Sequence, residues 1–279
     1  MVDIQSISAE LKKGDDGIWY GGNSVNVSYP PGGNERCFAV EDSSFWFRHR
    51  NNCIVSVVKS FPPKNNEAIF DIGGGNGFVS LGLINAGFDV VLVEPVHIGV
   101  LNARKRGLKN IICATLETAK FKCNSLSAVG LFDVIEHIKD DISFLQNIRL
   151  IIKKEGLLYA TVPSFPFLWS MEDILAGHFR RYTLKGIAKV LTSSGFEIVF
   201  SSYIFRFLPI PIFLLRSLPY RVGLSKKKRT SINISRDHSV KSGLFANLLD
   251  AVLKPEIDRL NSKKAMCFGG SCLIAAKAI

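Results

Sequence analysis

Ala68-Ile69-Phe70-Asp71-Ile72-Gly73-Gly74-Gly75-Asn76-Gly77 is a short apolar run that meets an acid and then a glycine turn. Gly73, Gly75 and Gly77 fall at alternate positions. A missing Cβ there lets the backbone take positive φ and lets a ligand approach main-chain atoms. A helical pattern from Phe78 to Ala86 follows, then a second apolar strand, Phe88 to Val93, closed by Glu94-Pro95. Strand, glycine turn, helix, and strand with a terminal acid make up the nucleotide-binding half of a doubly wound α/β fold.

Two ligands compete for such a turn. A dinucleotide wants G-x-G-x-x-G, with its pyrophosphate at the helix N-terminus. Here the spacing is D-x-G-x-G-x-G, and Asp71 suits a cationic group and repels a pyrophosphate. Glu94 lies 23 residues beyond Asp71, at the strand tip where a carboxylate can accept from both hydroxyls of a ribose. A ribose, no phosphate and a positive centre describe S-adenosylmethionine. At these residues the chain resembles the class I S-adenosylmethionine-dependent methyltransferases, whose first motif has this form. The resemblance implies cofactor contacts from Asp71, Gly73, Gly75, Asn76, Gly77, Glu94 and Pro95.

Outward from the turn, Phe45, Phe47, Ile54, Val55, Val58 and Phe61 recur at helical spacing, and Pro62-Pro63 stops that helix. Residues 1–35 are rich in Gly, Asn, Ser and Pro and read as an irregular arm, so 1–66 is an arm with a helical cap. Strands are expected at 68–72, 88–93, 110–113, 127–132, 156–162 and 196–204, and helices at 77–86, 98–106, 140–152 and 183–194. That alternation predicts an α/β, doubly wound, Rossmann-like, mostly parallel sheet. The resemblance adds an antiparallel last strand, 268–277, for seven strands in all. Gly195 closes the helix before it as a C′ residue. The core is then 67–204 and 265–279.

Between the last two strands lie about sixty residues, 205–264, more than a structureless loop holds. They read as a substrate-side insertion. Tyr203 to Leu224 is apolar but broken by Arg206, Arg216 and Arg221, and its longest uncharged run, Phe207 to Leu215, is too short for a ~30 Å hydrocarbon layer. Lys226-Lys227-Lys228-Arg229 follows at once. Residues 178–241 carry 13 Lys and Arg against Glu197 and Asp237, a balance of +11 that equals the net charge of the whole chain. An apolar stretch with arginines and a polybasic flank suits an anionic bilayer interface; it equally suits a cap folded over a site.

The six cysteines form no C-x-x-C pair, and the N-terminal residues have no apolar signal core. Both point to reduced thiols and a cytoplasmic protein, with the 205–264 insertion as the part that could hold it peripherally at a membrane.

Every polar residue at a strand tip is a site candidate in an open α/β sheet. After the third strand, where this class carries an acid for the adenine amino group, stand Leu116 and Glu117. Leu116 would face the adenine and Glu117 would take the amino group. The fourth strand gives Gly130-Leu131-Phe132-Asp133-Val134-Ile135-Glu136-His137-Ile138, similar to the fourth motif of small-molecule O-methyltransferases, including those acting on quinone precursors. The resemblance places Phe132 and Asp133 beside the methionine moiety. Imidazole titrates near neutrality, so His137 and His178 are candidate bases for an acceptor hydroxyl; His137 could instead sit in a helix-start hydrogen-bond network. A metal on Asp133, Glu136 and His137 would need an unusual local geometry, and no metal is expected.

Arg180, Arg181 and Tyr182 are candidates for an anionic substrate group, or the arginines brace the turn that Thr183 caps. Trp46, Phe47 and Arg50 either close over the cofactor or pack. No N-P-P-Y, D-P-P-Y or Pro-Cys nucleophile sequence is present, which argues against an exocyclic base nitrogen, a glutamine amide or a pyrimidine C5 and keeps oxygen as the default acceptor. The expected reaction is O-methylation of a small-molecule, lipid or lipid-linked glycan acceptor. An RNA methyltransferase, a nicotinamide-dependent oxidoreductase and a non-catalytic membrane-binding protein are the alternatives. Nucleic acid is disfavoured because the aromatics of the basic quarter sit among Pro and Leu.

Overall fold

Ile69 packs into one apolar core while Phe70 and Ile72 pack into another. β3 (Ile69–Ile72) is therefore buried on both faces, as a central parallel strand must be. In the computed structural model, which describes residues 2–22, 32–224 and 244–279, this strand sits inside one sheet. Its other strands are β1 (Lys12–Lys13), β2 (Trp19–Tyr20), β4 (Val90–Val93), β5 (Ile111–Cys113), β6 (Leu126–Phe132), β7 (Ile152–Pro163), β8 (Phe196–Ile204) and β9 (Ser271–Ala278). The order is β1-β2-β5-β4-β3-β6-β7-β9-β8. β2 through β7 pair in parallel, and β9 runs antiparallel between β7 and β8.

The expected seven strands are those from β5 to β8 in this order. The two extra strands come from the arm read as irregular: Trp19 and Tyr20 pair with Ile112 and Cys113 and cover the edge of β5. Two-residue strands leave no periodicity to read. β7 also starts earlier than expected. Glu155 takes φ +65°, and the register with β6 jumps between Leu126 and Ala128, so a bulge extends the strand back to Ile152.

One face of the sheet carries α3 (Phe45–Ser60), α4 (Phe78–Asn85) and α12 (Leu244–Asn261), whose Leu253 and Leu260 join the core of Ile54, Val57 and Leu83. The other carries α7 (Asp141–Ile151) and α9 (Leu184–Ser193), through Leu145, Ile148, Ile187 and Leu191. Thr183 caps α9 by accepting from Gly186 N–H (3.0 Å), and Gly195 follows at φ +90°.

Part of the insertion forms three consecutive helical pieces, α10 (Pro209–Ile212), a π-helical turn (Phe213–Ser217) and α11 (Leu218–Arg221). The Lys226–Arg229 run and the Pro30-Pro31 stretch lie outside the described residues. Among the described residues no helix is long and apolar enough to cross a membrane.

The chain leaves β3 toward β4 and β5, then returns to β6 on the other side. The carboxyl ends of β3 and β6 thus flank the switch point, where open α/β sheets bind ligands.

Candidate functional site

Gly73, Gly75 and Gly77 all have positive φ, +72°, +54° and +74°. Their surroundings separate their jobs. A Cβ on Gly77, which precedes α4, would lie 2.9 Å from Ala103 and Leu108, so this glycine lets α4 pack on α5 (His97–Lys105). A Cβ on Gly75 would meet nothing within 4 Å, and Gly75 faces the open space of a cavity. Gly74, absent from the alternate-glycine reading, is the most confined: its Cβ would stand 2.3 Å from Leu92 Cδ1 and 2.7 Å from Asp71 Oδ2.

Two buried carboxyl groups hold this turn. Asp71 accepts from Ser80 Oγ at 2.6 Å, and burial pushes its carboxyl up to about 6. Glu94 accepts from the Gly75 and Val96 N–H groups, both at 2.9 Å, and burial pushes it up to about 7. The sequence reading gave both acids to a ligand; here each also braces the loop that would hold it. Asn76 knots the loop to its neighbours. Its Nδ2 donates to Asn34 O and Glu41 Oε1, and its Oδ1 accepts from Asn102.

At the tip of β6, Asp133 takes φ +58°. Its Oδ1 accepts from Thr161 Oγ1 at 2.8 Å, and its Oδ2 pairs with Arg50 of α3. The Arg50 guanidinium lies 4.9 Å from the Trp46 ring and 5.8 Å from Phe47, a cation–π clamp on a buried charge. Arg50 thereby joins the helical cap to the strand tip. Phe132, buried beside it, lines the same cavity.

The 3₁₀ turn Ile135–His137 turns Glu136 fully inward. Neither Glu136 carboxyl oxygen has a hydrogen-bond partner among the described residues, and burial pushes the carboxyl up to about 8. The Phe179 N–H donates to Glu136 O at 2.8 Å, which draws the 178–179 loop against this turn. Gly177, at φ +79°, closes α8 (Met171–Ala176) and folds His178 back onto it. His178 Nδ1 lies 2.9 Å from Asp173 Oδ1, and its ring meets that of His137 edge to face at 4.8 Å.

Asp173 also accepts from Arg181 Nε at 2.8 Å and from Ser170 N–H at 2.9 Å. Burial alone would raise its carboxyl, but the His178 hydrogen bond and the Arg181 charge bring it below the ordinary aspartate range.

The three candidates for an anionic substrate part company here. Arg181 lines the cavity. Arg180 and Tyr182 are not on its wall. Arg180 Nη1 pairs with Asp141 Oδ2 at 2.8 Å and its Nη2 donates to Lys139 O; the Tyr182 hydroxyl donates to Asp141 Oδ2 at 2.7 Å. Asp141 spends both on bracing the start of α7.

Gly73 to Gly75, the Arg50–Asp133 pair, Glu136, His137, His178 and Arg181 line one cavity of about 1010 Å³. Pro95, Leu116 and Glu117 stand on its wall, and so do Leu208, Pro211, Ile212, Leu215 and Arg216 of the insertion. Residues that fit S-adenosylmethionine are present. A Cβ-free cradle opens at Gly75, an acid tips β4, and two buried carboxyl groups at the turn disfavour a pyrophosphate. Sequence reading assigned no role to Asp173 or Gly74, and Glu136 only a rejected one. The S-x-x-D capping spacing at Ser170–Asp173 was visible, but its link to His178 was not.

A family model described as a methyltransferase domain matches residues 46–200. A ubiquinone biosynthesis O-methyltransferase of Histophilus somni is 26% identical over 132 residues, 43% of this chain and 55% of that protein. The match therefore spans about half the length of that curated relative. Among solved structures, a methyltransferase from Thermotoga maritima described as a possible histamine N-methyltransferase superposes with TM-score 0.55 at 18% identity, covering 88% of this chain and 94% of that one. Phosphoethanolamine N-methyltransferase 2 of Haemonchus contortus, in complex with S-adenosyl-L-methionine, gives 0.52 at 18% identity over 88% of this chain and 56% of its own. At that identity the structural likeness speaks for the fold.

Proposed function

Because this chain belongs to the methyltransferase-domain family, we propose that it transfers the methyl group of S-adenosylmethionine to an oxygen of an amphipathic acceptor: a small molecule, a lipid or a lipid-linked glycan. When bound, the cofactor supplies a methyl group already activated on a sulfonium. Gly73, Gly75, Glu94, Leu116, Phe132 and Asp133 would hold it. Arg50 keeps Asp133 in place, Trp46 and Phe47 wall that side of the cavity, and alignment with exclusion of water supplies most of the acceleration. His137 and His178 are the groups proposed to ready the acceptor oxygen. The Histophilus somni relative, an O-methyltransferase by description, supports oxygen as the acceptor atom.

The lipid character of the acceptor rests on the cavity wall. Leu208, Pro211, Ile212, Leu215 and Arg216 line the space that the glycine turn also lines. The same helical segment leaves Ile210, Leu214, Leu215, Val222 and Leu224 between 53% and 80% exposed. An apolar surface continuous with the mouth of a reaction cavity, beside Arg216 and Arg221, suits an acceptor drawn from an anionic membrane. Incubation of cell extract with methyl-labelled S-adenosylmethionine tests this. Label should enter the solvent-extractable lipid fraction, and label confined to RNA or to water-soluble amines would overturn the reading.

A further inference from the structure

We propose that Glu136, His137 and His178 form a divalent-metal site in the cavity wall, with Asp173 as the positioning residue behind His178. The proposal deepens the reading above, on which its role in methyl transfer rests, by naming how the acceptor oxygen is readied.

One ligand atom from each of the three residues lies within 4.8 Å of the others. Metal–ligand bonds of about 2.0–2.2 Å are within reach of small side-chain rotations from there. Two imidazoles and one carboxylate are a three-ligand set that leaves a fourth position open for substrate, the arrangement of catalytic zinc. The three come from two elements, the 3₁₀ turn after β6 and the loop after α8, joined by the Phe179 N–H to Glu136 O hydrogen bond at 2.8 Å. Sequence spacing suggested Asp133 as the third ligand, but Asp133 is committed to Arg50 and Thr161.

Two further observations point to a cation. Glu136 is 0% exposed, and both its oxygens lack a hydrogen-bond partner among the described residues, although it lines the cavity. Burying a polar group with no partner is costly, and a cation that displaced the carboxyl's proton would supply one. Asp173, itself 1% exposed, takes the Nδ1 side of His178. That fixes the tautomer whose Nε2 can bind metal, the carboxylate–histidine support that metal-binding imidazoles use. The other such cluster, His49, Cys53 and Glu256, differs: there both Glu256 oxygens are taken by the Phe205 and Arg206 N–H groups and by His49.

An acceptor hydroxyl entering the open position would be acidified, as water is on zinc. Its proton passes to water at the cavity mouth. Its oxygen lone pair forms the O–C bond while the C–S bond breaks, and the sulfur keeps the electron pair and becomes a thioether.

The full-length protein, stripped with a chelator and dialysed, should take up one Zn²⁺ or Co²⁺ per chain by calorimetry. The Co²⁺ form should show visible bands without a thiolate charge-transfer band. Glu136→Gln and His178→Ala should each weaken binding at least tenfold, and Asp173→Asn ten- to a hundredfold. Cys53→Ser should leave it unchanged. Circular dichroism of each variant reports folding. No one-to-one uptake, uptake indifferent to Glu136→Gln and His178→Ala, or uptake lost in Cys53→Ser would overturn the site. Because uptake is read without acceptor, metal that binds while no lipid is methylated removes the acceptor reading and upholds the site.

Discussion

Arg50 of the N-terminal helix and Asp133 at the tip of the fourth core strand are ion-paired across 83 residues of sequence. Arg50 is 10% and Asp133 22% exposed, so the pair sits between core and cavity. Removing one partner leaves a poorly hydrated charge facing the cofactor side. Arg50→Met should cost roughly 3 kcal/mol of stability, measured by urea unfolding, and weaken S-adenosylmethionine binding. Asp133→Asn added to it should cost little more, because the orphaned charge is then gone. Additive losses in the double variant would mean that the pair is not coupled.

Gly74 and Gly75 should separate folding from binding. Gly75→Ala meets no atom, so it pays only for φ +54°, roughly 1–2 kcal/mol, and its Cβ enters the cradle. Its affinity for S-adenosylmethionine by calorimetry should fall at least tenfold with an unchanged circular dichroism spectrum. Gly74→Ala instead drives a Cβ to 2.3 Å from Leu92 Cδ1, and should destabilise by about 3 kcal/mol through overpacking. Equal melting points for the two variants would contradict this division.

How far these roles were legible in the sequence depended on the range of the interaction. The strands and helices of the core lie within a few residues of their expected bounds, β7 apart, because hydrophobic period and glycine are local signals. The Thr183 cap and the Gly195 turn were equally local. Gly74 escaped notice because its constraint comes from Leu92 on the neighbouring strand. Arg181 reaches the cavity while Arg180 and Tyr182 do not, and the choice is made by Asp173 and Asp141, which no spacing rule links to them. Glu136 stood in a recognised motif, yet the hydrogen bond from Phe179 N–H to its main-chain oxygen joins residues that no local spacing links.

Glu94 makes the ligand-free protein pH-sensitive in a stated direction. Its carboxyl moves from an ordinary 4.5 up to about 7 because burial disfavours the charge. Between those values the native state keeps a proton that the unfolded chain has released. Its contribution to stability therefore falls as pH rises through that window, and levels off above about 7. A shift of this size is on the order of 3 kcal/mol. Glu94→Gln has no such titration, so its destabilisation relative to the parent should be larger at pH 5 than at pH 8 by thermal unfolding. A pH-independent difference would show that Glu94 is charged throughout.

The exposed apolar face of the insertion gives the membrane proposal its sharpest test. Ile210, Leu214 and Leu224 are 62%, 53% and 80% exposed, and none of them is needed to fill a core. Burying each in a bilayer interface contributes on the order of 1 kcal/mol, about half of full burial. Nearby arginines add about 1 kcal/mol each at an anionic surface. Replacing all three apolar residues with serine should therefore lower partitioning onto anionic vesicles on the order of a hundredfold. Folding should be untouched, since the lost surface already faces water. High salt should weaken what binding remains, as screening removes the arginine part. If the parent protein fails to float with anionic vesicles, or the serine variant floats as well as the parent, this face does not meet a membrane.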